Sequence, residues 1–152
     1  MTTGSYQFEA LENTEFQTQR LLQQAQAVRG LEASLLRNAG IQPTHDVLEV
    51  GSGPGFVTDL LAELAPQGSV HALEPSPTLL AQIEGNVTHR PAKGLFVHQG
   101  YGNAIPLPDQ SVDFSYTRFV LQHVPQPHSV VADVFRVTRS GGRFCAVDSD
   151  DG

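Results

Sequence analysis

The sequence predicts an α/β fold, a doubly wound parallel sheet, and three observations carry that prediction. From Asp46 onward, short apolar strand-like runs alternate with amphipathic helical stretches. That alternation requires right-handed crossovers and a sheet covered on both faces. The first of these runs, "VLEV" (47–50), leads directly into "GSGPG", which places three glycines within five residues. Sheets of this kind bind ligands beyond the carboxyl ends of their strands, and the glycine loop sits at such an end. Finally, a chain of 152 residues, 39% hydrophobic and 16% charged, fits a single domain with a substantial core.

The elements follow in order. Phe16, Leu21, Leu22, Ala25 and Val28 recur at helical spacing, and Gly30 is expected to break or bend that helix. Leu31, Leu35, Leu36 and Ala39 continue as a second short helix, which Gly40 should end in a left-handed cap. These helices form an N-terminal cap over residues 1–40, ahead of a binding domain over 41–152. "DVLEV" is the first strand. "FVTDLLAELA" places Val57, Leu60, Leu61 and Leu64 on one helical face before "PQG" stops it. "SVHALE" is the second strand, and "PTLLAQIEG" reads as a helix with proline at its start and glycine at its end. "GLFVHQ" and "SVDFSYTRF" are the third and fourth strands. "HSVVADVFRVTRSGG" reads as a helix stopped by two glycines, and "RFCAVD" is the fifth strand.

Charge narrows the range of partners. The formal net charge is −7, with one lysine (Lys93) and eight arginines, too few cations to hold a phosphate backbone. A neutral or cationic small molecule suits this balance better, and no nucleic-acid partner is expected. The single cysteine, Cys145, cannot form an internal disulfide, which points to a reducing cytoplasm. "MTTGSYQFEALENTEF" lacks the basic start and apolar core of a secretory signal, and no apolar run reaches membrane-spanning length. A cytoplasmic protein without a membrane partner is expected.

Three readings of the glycine loop compete. A phosphate-cradling NTPase loop needs G-x-x-x-x-G-K-[S/T], and no lysine lies near Gly51. The dinucleotide fingerprint G-x-G-x-x-G needs its third glycine where Phe56 stands; the glycine comes one residue early, at Gly55. That weakens an NAD-dependent oxidoreductase. Glu74, at the end of the second strand, can accept hydrogen bonds from both ribose hydroxyls, which supports an adenosine ribose without choosing between cofactors.

The third reading rests on a resemblance. "VLEVGSGPG" looks like the first motif of the class I S-adenosylmethionine-dependent methyltransferases, small-molecule type. "GNAIPLPDQSVDFSYTRFVLQHVPQP" is similar to that family's G-D-A-x-x-L-P-F-P-D-x-S-F-D segment and the helix after it. "RVTRSGGRFCAVD" resembles its R-V-L-x-P-G-G-x-L stretch. Together these cover roughly residues 46–148 in the right order, which the glycines alone do not.

The resemblance implies a Rossmann-like sheet with strands in the order 3-2-1-4-5 and S-adenosyl-L-methionine as cofactor. It places Glu49 near the methionine amino end and the backbone of Gly51, Ser52, Gly53 and Gly55 along the cofactor. Glu74 and Pro75 would border the ribose. Asn103 and Ala104 would meet the adenine, with an amide oxygen at 103 where the family usually carries an aspartate. Arg118 and Phe119 either border the cofactor or pack. "TEFQTQRLLQQAQ" resembles an E-x-x-R-L-x-x-Q segment that closes over the cofactor in small-molecule members, which adds Arg20 and Gln24; Gln17 stands where the glutamate would be.

Other residues have plainer readings. His123 could serve as a general base, although packing or capping is the preferred reading. "DSDDG" (148–152) offers too few converging oxygens for a metal, so none is expected. The function implied is methyl transfer to an unidentified small-molecule acceptor. A non-catalytic adenosyl-binding module, or a truncated inactive fragment, is the alternative. The family's final antiparallel strand pair has no counterpart before Gly152, so two expectations stand: a truncated fragment whose fifth strand is an exposed edge, or a second copy or partner chain that covers that edge.

Overall fold

The computed structural model describes residues 14–150; the first part of the expected cap, residues 1–13, lies outside the described residues. Five strands form one sheet: β1 (Val47–Val50), β2 (Ser69–Glu74), β3 (Gly94–Gln99), β4 (Val112–Arg118) and β5 (Thr138–Val147). Their order is β3-β2-β1-β4-β5 and every neighbouring pair is parallel, as the sequence predicts. β1 is central and wholly buried. Successive side chains on a strand point to opposite faces, so β1 serves two cores. Val47 joins Leu36, Leu60, Leu61, Val70, Ala72 and Phe114 on one face. Leu48 and Val50 join Leu73, Val120, Val130 and Val134 on the other.

Helices α1 (Thr14–Ala39) and α2 (Phe56–Leu64) cover the first face, and α5 (Pro127–Val137) covers the second. Two single turns, α3 (Pro77–Leu80) and α4 (Ile83–Asn86), follow β2. β3 and β5 form the sheet edges. Among the described residues, no helix is long and apolar enough to cross a membrane.

Three local expectations are corrected. Gly30 does not break the N-terminal segment, which is one helix from Thr14 to Ala39. A glycine inside a helix costs only about 1 kcal/mol, and packing on both sides offsets it. Arg29 reaches Asp59 and Glu63 of α2, while Glu32 and Leu36 are buried just beyond. Gly40 does end the helix, at φ 107, with Gly40 N–H donating to Arg37 and Ile41 N–H to Leu36.

The stretch from 77 to 85 is not one helix. Gln82 N–H bonds three residues back to Leu79, and the break lets Ile83 bury itself against Gly55. Nor does the last helix run to the double glycine: it stops at Val137, and the extended chain begins at Thr138. The Thr138 hydroxyl donates to the Val134 carbonyl at 2.6 Å, and Arg139 is drawn to Asp46 and Asp113 at 3.1 and 2.9 Å. These charges lie far away in sequence, so helical periodicity could not reveal them.

Candidate functional site

The loop from Gly51 to Gly55 leaves the end of β1 and enters α2. All three of its glycines have positive φ, at 75°, 57° and 102°. Two of them are glycines for packing: a Cβ on Gly51 would lie 2.4 Å from Val120 Cγ2, and one on Gly55 would lie 3.2 Å from the Ile83 backbone. Gly53 differs, because nothing stands within 4 Å of a Cβ there. The loop therefore presents open space at its middle glycine and is clamped at both ends.

The loop's N–H groups have partners within the protein. Gly51 and Ser52 donate to the Leu73 carbonyl, and Gly55 donates to Ser52. Gly53 N–H donates to Glu74 Oε1 at 2.8 Å, while Glu74 Oε2 accepts from Ser76 N–H at 2.8 Å. Glu74 is 0% exposed. Its carboxylate thus shapes both the glycine loop and the turn after β2, and Pro75 lies half-buried between the two.

Glu49 lies beneath the same loop. It is buried and accepts the Thr58 hydroxyl at 2.5 Å. Burial pushes its pKa up to about 8; the Thr58 hydrogen bond opposes this, as does Arg118, while Glu32 and Glu74 add repulsion. The buried Ser52 side chain turns back to the Gly53 carbonyl.

A second loop closes on the first. A Cβ on Gly102 would lie 2.8 Å from Val50 Cγ1 and 2.9 Å from Val130 Cγ1, so only a glycine lets this loop rest on the end of β1. Asn103 and Ala104, both exposed, follow directly on that contact at the carboxyl end of β1. At the end of β4, Arg118 forms an ion pair with Glu32 at 3.0 Å and its Cζ lies 5.3 Å from the centroid of the Phe119 ring. Phe119 itself has φ 57, rare for a bulky residue and a mark of a constrained site.

The structure therefore gathers Glu49, Gly51, Ser52, Gly53, Gly55, Glu74, Pro75, Asn103, Ala104, Arg118 and Phe119 around the carboxyl ends of β1, β2 and β4. Arg20 and Gln24 lie exposed along α1. His123 ends a 3-10 turn, Leu121–His123, with Gln122 Nε2 at 3.3 Å from its ring. Among the described residues, no cluster of three or more His, Cys, Asp or Glu could hold a metal.

Glu32, Thr58, Gly102, Tyr116 and Val120 were not singled out from the sequence, yet they bond to or pack around these candidate residues. Glu32 left a trace there: it stands one turn from both Val28 and Leu36, so a charge occupies the inward row of an amphipathic helix.

Residues 48–146 match the family model described as a methyltransferase domain. The chain belongs to the methyltransferase domain family. Within it, the chain is 32% identical over 111 residues to an arsenite methyltransferase of Halobacterium salinarum, covering 72% of this chain and 28% of that protein. It is also 32% identical over 125 residues to an uncharacterized 37.1 kDa protein encoded in a transposon of Streptomyces fradiae, covering 82% and 36%. The fold resembles a solved S-adenosylmethionine-dependent methyltransferase from Aquifex aeolicus, with TM-score 0.69 and 25% identity over 78% of this chain and 66% of that one. The methyltransferase domain here thus spans 28% to 36% of the length of these two curated relatives.

Proposed function

We propose that the chain binds S-adenosyl-L-methionine across the glycine loop and supports transfer of its methyl group to a small-molecule acceptor. One observation carries the reading: a methyltransferase-family loop sits at the carboxyl end of β1 with open space at Gly53, whose N–H is held by the carboxylate of Glu74 at the end of β2.

The residues present fit such a ligand. The space at Gly53 admits a molecule against bare backbone, where any side chain would stand in the way. Asn103, exposed and next to the Gly102 contact with β1, would offer an amide oxygen to an adenine amino group. Glu49 and Glu74 put acidic groups under the loop, suited to a ligand with a cationic amino acid end. Glu74 is buried, so the loop or the turn after β2 must shift for a ribose hydroxyl to reach a free lone pair of its carboxylate.

The cofactor would supply a methyl group activated on a sulfonium. The protein's part is to hold the acceptor in line with that methyl and to keep water out, and proximity provides much of the rate. A base is required only where the acceptor is protonated at working pH. The acidic composition and the scarcity of lysine and arginine favour a small acceptor over a nucleic acid.

Calorimetric titration with S-adenosylhomocysteine and, separately, with NAD tests the proposal. Binding of the first and not the second is expected; tight NAD binding with no response to the homocysteine product overturns it. Glu74→Ala is expected to weaken S-adenosylhomocysteine, and unchanged affinity would remove the ribose assignment. Methyl transfer to a panel of small acceptors then separates an enzyme from a binding module.

A further inference from the structure

We propose that Glu32, on α1, is a positioning residue for the glycine loop, acting through the segment Arg118–Phe119–Val120. The inference rests on the cofactor reading above. Glu32 is 7% exposed, and its carboxylate is held at both oxygens. Tyr116 Oη donates to Oε2 at 2.5 Å, and Arg118 Nη1 donates to Oε1 at 3.0 Å. The side chains of Arg118 and Glu32 are 11% and 6% exposed, so this ion pair is largely shielded from solvent.

From Arg118 the contacts run straight to the loop. Its guanidinium carbon stands 5.3 Å from the centre of the Phe119 ring. Phe119 is held in the left-handed region, with its N–H donating to the Val147 carbonyl at 2.7 Å. A bulky residue stays in that region only where its surroundings over-determine it, and the Arg118 contact is one of the constraints. Next in sequence, Val120 fills the place where a Gly51 side chain would be. The position of α1 is thereby transmitted, residue to residue, to the first glycine of the loop.

Among the described residues, the other side-chain hydrogen bonds of α1 lie nearer solvent, that of Arg143 to the Ala39 carbonyl included. Thr18 reaches Gln82 at 3.1 Å through a half-buried neutral contact, and Arg29, with 35% of its side chain exposed, pairs with Asp59 and Glu63. Exposed pairs contribute little, whereas removing one half of a buried pair strands the other charge. Among the described side-chain hydrogen bonds and ion pairs of α1, that of Glu32 is the most buried, and it leads through Arg118 and Phe119 to Val120 beside the loop.

The test compares the wild type with Glu32→Gln by S-adenosylhomocysteine titration and thermal melting. Glutamine keeps the size and an acceptor for Tyr116 but removes the charge facing Arg118. Affinity is expected to fall about tenfold, within the range of coupling through packed networks. Arg118→Gln added to Glu32→Gln should then cost little more, because both changes cut the same connection. A lowered melting temperature with unchanged affinity makes Glu32 merely structural and overturns the proposal, leaving the cofactor reading intact. A wild type that does not bind S-adenosylhomocysteine overturns both. Should Glu32→Gln fail to fold, hydrogen exchange on the wild type decides: the amides of Leu31–Leu36 and of Val120 should slow together on adding S-adenosylhomocysteine, and no change overturns the proposal.

Discussion

Val120 occupies the space that any side chain at Gly51 would need, with its Cγ2 2.4 Å from where a Cβ would stand. At Gly53, two residues along the same loop, there is nothing within 4 Å. The two glycines therefore have different physical reasons, and the same substitution separates them. Gly51→Ala should destabilise the fold by roughly 1–3 kcal/mol through overpacking, in addition to the strain of positive φ. Gly53→Ala should cost only the backbone strain, roughly 1–2 kcal/mol, yet remove most S-adenosylhomocysteine binding by filling the open side of the loop. Thermal melting and calorimetry on the two variants check this; a Gly53→Ala protein that binds normally places the ligand elsewhere.

Glu49 should make both stability and binding depend on pH. Burial, reinforced by Glu32 and Glu74, pushes its pKa from 4.5 to about 8, against the Thr58 hydrogen bond and Arg118. The folded state therefore keeps a proton that the unfolded chain has already lost. Its contribution to stability is fully present below pH 4.5 and declines as pH rises through about 8. Pairing a cationic amino group with Glu49 requires that proton to leave, so S-adenosylhomocysteine should bind more tightly as pH approaches 8. Glu49→Gln should flatten both trends, measured by denaturant melts and by titrations across pH.

Asp59 has the opposite sign. Burial opposes its ionisation, but hydrogen bonds from the His89 backbone and ring and from the Thr88 backbone and hydroxyl outweigh it, bringing the pKa from 3.8 to about 2. Its contribution is present above pH 3.8 and is lost as pH falls through about 2. Asp59 joins α2 to the turn after α4 and to Arg29 of α1, so these links should hold until the pH falls towards 2 and only then loosen. Asp59→Asn should lower stability at neutral pH and remove that part of the acid limb; an unaltered acid melt would show that Asp59 is not the group responsible.

The positions of many candidate residues at the strand ends were legible in the sequence. The glycine loop, Glu74 and Asn103 stand at the ends of strands whose apolar runs are unmistakable, and β2 and β3 run over the residues expected of them. The supports of the site were not legible to the same degree. Gly102 reads as a turn glycine until Val50 and Val130 are seen pressing on it from 52 and 28 residues away. Glu32 showed only as an ill-placed charge on an apolar helical face. Its partners, Tyr116 and Arg118, are 84 and 86 residues away, and no local pattern encodes such distances.

The order of strands and helices, the parallel sheet and the place of the glycine loop were set by short-range patterning, because apolar period and glycine content act within a few residues. Only the tertiary structure decided that α1 runs unbroken through Gly30, that α5 stops at Val137, and that Glu32 reaches Arg118 at the end of β4. In each case a long-range contact outweighs a local preference of about 1 kcal/mol, and such contacts exist only once the sheet has brought distant segments together.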